Sequence, residues 1–203
     1  MSHVSDDSPR IAIPRLKKAL PPDFRMKGLK VDLRPIRLSD ANRRYCAWLN
    51  DPEVNRQTES RYAKTTLSDL KRYVGAMLRS PGHFFFAIVE KATDRHVGNI
   101  KIDSVITHLW DHRLGEVGLI IGEKDCWGKG YATEAIQLAM QFAFEHAGLH
   151  KLTAQCYATN HGSAKAFVRA GFVQEGVRRS HARFDGKYVD LLLFGVINPP
   201  KVD

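Results

Sequence analysis

Two glycines stand where an apolar strand hands over to a helix. The run DCWGKGYATEA, residues 125 to 135, follows the apolar stretch EVGLIIG (116 to 122) and leads into good helix formers. Glycine costs a helix roughly 1 kcal/mol per residue relative to alanine, so Gly128 and Gly130 need a backbone reason. A strand that ends at a glycine-rich turn and feeds a helix presents unpaired backbone N–H groups at the positive end of the helix dipole. That is an anion site, and glycine lets phosphate oxygens approach the backbone without a clash. GKGYAT lacks the third glycine of the Rossmann dinucleotide fingerprint, and the stretch also fails the P-loop order G-x-x-x-x-G-K-[ST]. A plain chain-reversing turn is the alternative on these residues alone.

Punctuation and period organise the rest. LKVDLRPIRL (29 to 38) alternates as a strand, with Pro35 placing it at an edge or a strand end. Ser39 caps a predicted helix to about Leu49, which NDP at 50 to 52 stops, and residues 51 to 64 read as a surface loop. Thr66 with Asp69 forms a capping arrangement before a second helix, closed by SPG at 80 to 82. HFFFAIVEK and HVGNIKIDSVI are strands joined by a turn, and EVGLIIG is a third. From about Lys129 to Ala147, Ala132, Ala135, Ile136, Ala139, Met140 and Ala143 recur at helical spacing, with Gly148 as a left-handed cap. KLTAQCYA is a strand, NHGSAKAFVRAG a short helix from Asn160 to Gly171, and the last 30 residues form a hairpin around DG at 185 and 186. The layout is α+β, a mixed sheet covered by helices.

The chain has 203 residues, 43% hydrophobic and 26% charged, which suits one globular domain. Residues 1 to 28 read as a basic N-terminal arm, 29 to 198 as the domain and 199 to 203 as a tail. The net charge is +9, and residues 1 to 37 hold nine Lys or Arg against four Asp. Such a lead segment attracts RNA, acidic lipid or an anionic cofactor, but no aromatic interleaving or nucleic-acid motif accompanies it. The polar start MSHVSDDSPR is no secretory signal and no apolar run approaches a membrane span, so a cytoplasmic compartment is expected. The three cysteines, Cys46, Cys126 and Cys156, support neither a disulfide framework nor a zinc knuckle and read as reduced thiols, with Cys126 and Cys156 as small buried side chains.

Taken together, EVGLIIG…WGKGYATEA, then Asn160 and Ser163 in N-x-x-S, then AGF…EG at 170 to 176, resemble the GNAT acetyltransferase superfamily. The resemblance runs from about Val31 to Ile197, within the branch of ribosomal-protein alanine and amino-sugar acetyltransferases. It implies a twisted mixed sheet of about seven strands flanked by about four helices. It also implies acetyl-CoA as acetyl donor, no metal, a primary amine as acceptor, no membrane partner, and a monomer or homodimer. The family's Q/R-x-x-G-x-G/A pattern, which holds the donor pyrophosphate, maps onto Trp127, Gly128, Lys129, Gly130, Tyr131 and Ala132, with Thr133 completing the run of N–H groups. Trp127 departs from the usual Gln or Arg. The preceding strand pairs with the pantetheine arm and thioester oxygen, a role that falls to Leu119 through Gly122, with Ile121 the central residue.

Acyl transfer from a thioester to an amine needs a base, donors for the oxyanion and an acid for the leaving thiolate. The resemblance implies Glu116 as base, directly or through water, with His108 and His112 as competitors. An alkylammonium titrates near ~10, so a base of ordinary pKa needs a relay or an acceptor amine lowered by its surroundings. Ser163 matches the acid beside the CoA sulfur and Asn160 the contact to pantetheine, although both also suit helix capping. Tyr157 is an alternative acid. Acceptor specificity in the family falls on the first helices, the 51 to 64 segment and the last hairpin, which gives Arg56, Arg61, Tyr62, Arg178, His181 and Tyr188. Their cationic character suits an anionic acceptor, and a nucleotide-linked amino sugar ranks ahead of a protein N-terminus, with a non-catalytic acetyl-CoA-binding module as the remaining alternative.

Overall fold

The run HFFFAIVE shows how the core is divided. As strand β3 (His83–Glu90) its side chains alternate, so Phe84, Phe86 and Ile88 join one buried cluster and Phe85, Ala87 and Val89 join another. A strand apolar on both faces must be covered on both, and it lies inside the sheet. The computed structural model describes residues 20–199 apart from 22, 81 and 104–111. The expectations for His108 and for residues 1 to 19 and 200 to 203 lie outside the described residues.

The strands are β1 (Met26–Lys27), β2 (Val31–Pro35), β3, β4 (Arg95–Asp103), β5 (Leu114–Ile121), β6 (Lys151–Tyr157), β7 (Val173–Phe184) and β8 (Lys187–Ile197). They form one sheet in the order β1-β2-β3-β4-β5-β6-β8-β7. Only β5 and β6 run parallel. The α-helices among the described residues are α1 (Arg43–Asn50), α2 (Pro52–Asn55), α3 (Leu67–Arg79), α4 (Tyr131–Gln141) and α5 (His161–Ala170). Helices α4 and α5 pack on the face of Phe86 and Ile136, and α1 and α3 on the face of Trp48 and Val74.

Among the described residues, eight strands and five helices exceed the expected seven and four by one each. The added strand is β1, where Met26 pairs with Leu33 and Lys27 with Asp32. Phe24 meets Phe142 edge-on at 5.8 Å, so core packing reaches into the stretch read as an arm. The added helix is α2, inside the stretch read as a loop: Asp51 accepts the Glu53 N–H at 2.9 Å and Pro52 opens the helix. A 3-10 turn at Glu59–Tyr62 follows it.

The first helix starts at Arg43 rather than after Ser39. Ser39 instead sits in a 3-10 turn, Leu38–Asp40, held by Asp40, which accepts the Arg34 guanidinium twice at 2.7 and 2.8 Å and the Arg37 N–H at 2.7 Å. Asn42 then caps α1 through the Arg44 and Tyr45 N–H groups. The helix expected to run to Ala147 leaves α geometry at Gln141 and finishes in a π turn, Phe142–His146, with Gly148 left-handed at φ +63°. That turn sets Phe142 among Phe84 and Phe86, with ring centroids 4.8 and 4.9 Å away. The capping pair at Thr66 and Asp69, and the Asn160 and Gly171 helix ends, form as expected.

Candidate active site

Strands β5 and β6 pair only at Leu114↔Lys151, Gly115↔Leu152 and Glu116↔Thr153. Beyond that, β5 stays with β4 and β6 with β8, and the sheet's twist carries them apart. A cleft of about 1500 Å³ opens there, lined by Val117 to Ile121 on one side and Gln155 to Tyr157 on the other. It reaches both faces of the sheet, with Thr133 and Ala166 on the α4 and α5 face and Tyr45 and Leu70 on the α1 and α3 face. The Gly122 N–H points to β4, donating to the Val97 carbonyl at 2.9 Å. By alternation the polar groups of Ile121 point the other way, into the cleft.

The glycine turn sits on the α4 face of this gap. Gly128 and Gly130 have φ of +74° and +84°, a left-handed backbone that answers why glycines precede the helix. The first helical bond is Glu134 N–H to the Gly130 carbonyl at 3.1 Å, which leaves the amides of Tyr131, Ala132 and Thr133 outside the ladder. A Cβ on Gly128 would meet nothing within 4 Å, so conformation and not crowding demands the glycine. Trp127, in place of the usual Gln or Arg, donates its indole N–H to the Ile121 carbonyl at 2.9 Å and ties the turn to the end of β5.

A polar network behind the turn holds it. Tyr131 donates its hydroxyl to buried Glu90 at 2.8 Å, Thr93 donates to the same carboxylate at 2.6 Å, and Arg95 links to Asp125 at 2.6 Å. The Thr93 and Tyr131 hydroxyls hold Glu90 below the usual carboxylate range, and Glu90 pushes Tyr131 up to about 12. Burial raises the Cys126 and Cys156 thiols, which fits their reading as small buried side chains.

Of the residues expected at the donor, Ile121, Trp127, Gly128, Gly130, Tyr131, Ala132, Thr133, Asn160 and Ser163 line the cleft. Lys129 does not. Gly122 does not either: it is buried, and a Cβ there would lie 2.0 Å from the Trp48 ring, so packing explains its identity. Asn160 caps α5, accepting the Ser163 N–H at 3.1 Å, so capping and cleft lining coincide.

Glu116 lies one residue outside the lining. Its carboxylate accepts from Gln155 Nε2 at 3.1 Å, and Gln155 does line the cleft. His112 is exposed at the start of β5, also outside the lining. At the acceptor end Tyr62, Arg178 and His181 line the cleft, and Arg56 and Tyr188 do not. Arg56 pairs with Asp185 at 2.6 Å, and Tyr188 is 71% exposed away from the cleft. Arg61 is engaged by Tyr62, by Tyr157 at 3.1 Å and by the Arg183 carbonyl. Arg178 borders, and His181 belongs to, a bulge in which residues 179 to 181 oppose Asp190 alone, fixed by the Ser180 N–H donating to the Asp190 carboxylate at 2.8 Å.

Several cleft residues carry no local sequence signal, because register across strands brings them in. Tyr157 donates its hydroxyl to Glu59 and accepts from Arg61, and burial followed by Glu59 raises its pKa. Asn99 is 2% exposed, faces the cleft opposite Ile120, and bonds His96 Nε2 through Oδ1 at 2.9 Å. Its Nδ2 has no partner among the described residues. Burial lowers the pKa of His96. Among the described residues no three His, Cys, Asp or Glu are grouped to hold a metal, and no helix is long and apolar enough to cross a membrane.

A parallel pair that parts beside a glycine turn, with amides free at the following helix, is the arrangement of acyl-CoA transferring folds. The family described as "Acetyltransferase (GNAT) domain" matches residues 30–173, and the chain belongs to that family of acetyltransferases. It is 25% identical over 174 residues to the uncharacterized N-acetyltransferase p20 of Bacillus licheniformis, covering 83% of this chain and 93% of the relative. The spermidine N-acetyltransferase of Vibrio cholerae, solved with CoA and spermine, superposes with a TM-score of 0.73 at 19% identity, covering 83% of this chain and 96% of that one. The ribosomal-protein-S5-alanine acetyltransferase of Vibrio fischeri superposes at 0.69 with 21% identity, covering 87% and 97%. These two likenesses show the fold.

Proposed function

We propose that the chain transfers the acetyl group of acetyl-CoA to a primary amine by direct attack, with the donor threaded through the gap between β5 and β6. The observation that carries this is the gap itself, which sets the free amides of Tyr131 to Thr133 on one face of the sheet and the acceptor-side residues on the other. The amides from Gly128 to Thr133 hold the pyrophosphate, Leu119 to Ile121 pair with the pantetheine arm, and the Ile121 N–H supports the thioester oxygen as it gains charge. Ser163 supplies the proton to the leaving thiolate. Glu116 takes the amine proton through water, with its carboxylate oriented by the Gln155 amide, since it stops one residue short of the cleft.

The acceptor is a small amine bearing an anionic group, such as a nucleotide-linked amino sugar. Arg178 and His181 at the cleft mouth support that class, and the orphan Nδ2 of Asn99 is a donor suited to an acceptor oxygen. A protein N-terminus is the second reading, favoured by a cleft open enough to admit an extended chain.

Release of free CoA thiol is measured with amino-sugar nucleotides, polyamines, aminoglycosides and peptides starting with Ala or Ser. Turnover is expected with the amino-sugar nucleotides; turnover confined to peptides or polyamines would replace that acceptor class. On the active acceptor, Glu116→Gln is expected to lower kcat about 100-fold with CoA affinity unchanged. An unchanged kcat would remove Glu116 as base.

A further inference from the structure

The β1–β2 turn, Gly28 to Val31, is docked on the phosphate turn by a carboxylate. Glu134, in the first turn of α4, accepts three consecutive N–H groups, from Leu29 at 2.5 Å, Lys30 at 2.9 Å and Val31 at 3.1 Å. The docked turn is fastened from its other side as well. Lys91 donates its ammonium to the Gly28 carbonyl at 2.7 Å and its N–H to the Lys30 carbonyl at 2.9 Å, and Asp32 accepts the Gly28 N–H at 3.2 Å. The fit leaves no room for a side chain at Gly28, where a Cβ would lie 2.4 Å from the Val31 carbonyl oxygen and 2.9 Å from the Glu134 carboxylate.

This docking fixes where one cation goes. The Lys30 ammonium donates to the Lys129 carbonyl at 2.9 Å and stands 3.5 Å from the point where Gly130 would carry a Cβ. Three donors belong to an ammonium and Lys129 takes one. Among the described residues Lys30 enters no ion pair. The Glu134 carboxylate is turned onto backbone N–H groups, and Asp125 is matched by Arg95 at 2.6 Å. The turn therefore keeps a net positive group beside amides that already favour an anion.

We infer that Lys30 is a phosphate-binding residue for the donor, delivered to the pyrophosphate from outside the glycine turn, with Glu134 as the residue that positions it. The inference rests on the donor site proposed above, and it assigns a task to part of the basic N-terminal region.

Calorimetric titration of the full chain with CoA and with 3′-dephospho-CoA tests it, using Lys30→Met and Lys30→Arg. Lys30→Met is expected to weaken both ligands by roughly tenfold and by the same factor, because both carry the pyrophosphate. It is also expected to flatten the dependence of affinity on salt. Lys30→Arg, which keeps the charge, is expected to recover most of the affinity. CoA binding by Lys30→Met equal to wild type overturns the inference alone, as does a loss seen with CoA but not with dephospho-CoA, or an equal loss in both variants. Wild-type protein that binds neither ligand overturns the donor site, and this inference with it.

Discussion

The two ends of the cleft are built from different materials. At the proposed donor end the groups on offer are backbone amides, set by left-handed Gly128 and Gly130 and backed by the buried carboxylate of Glu90 and the indole of Trp127. At the acceptor end the lining is side chains such as Tyr62, 64% exposed, and the bulge residues Arg178 and His181. A backbone cradle tolerates changes of side chain and fails when φ is disturbed. A side-chain wall behaves in the opposite way, which lets one family keep its donor and change its acceptor.

The sharpest way to break that contrast is Gly130→Val. A β-branched residue held at φ +84° is a strained outlier, expected to displace the turn and weaken CoA binding at least tenfold with the circular dichroism spectrum unchanged. Undiminished binding in calorimetry would mean that the amides do not hold the donor.

Next in size is Asp40→Asn, on the acceptor face. Burial works against the Asp40 charge, but the Arg34 guanidinium and the Arg37 N–H outweigh it and hold the carboxyl below its usual range. Removing one partner of this enclosed pair is expected to cost about 3 kcal/mol, read from urea unfolding at pH 7. A depressed folded pKa contributes stability above the unfolded value near ~4, and that contribution fades as pH falls through the folded pKa. The gap between wild type and variant should therefore start to close as pH falls below about 4 and vanish only below the still lower folded pKa; a constant gap would move the effect away from Asp40 ionisation.

The smallest expected effect belongs to Arg56→Ala. Its pair with Asp185 joins side chains 58% and 61% exposed, so the loss of stability should stay under ~1 kcal/mol, and the acceptor KM should not move. A large rise in acceptor KM would return Arg56 to the site.

Local signals made the donor end legible. Gly128 and Gly130 before a helix, the cap at Asn160 and the apolar β5 all act within a few residues of themselves. The fold followed from the same kind of signal wherever one face was buried. Asp51 before Pro52 was a helix start hidden by the lack of period in a four-residue helix. The displaced start of α1 was not legible, because Arg34 recruits Asp40 from a neighbouring strand. The acceptor end was least legible. Whether Arg178 lines the cleft and Arg56 does not depends on a bulge and a surface ion pair, and Asn99 enters only through its register with Ile120. Glu134 reads locally as an ordinary acid in a first helical turn, and its bonds to Leu29, Lys30 and Val31 span more than a hundred residues of chain.

The three-pair seam between β5 and β6 also bears on how the molecule responds to its own substrate. A continuous sheet would unfold with little regard to what is in solution, whereas here the seam is short and flanked by strands whose inner edges face the gap. An extended pantetheine arm pairing with those edges would act as an extra strand joining the two halves. Acetyl-CoA at 100 times its Kd would then raise the unfolding free energy by about 2.7 kcal/mol. With the donor bound as proposed, the melting temperature would serve as a gauge of donor supply.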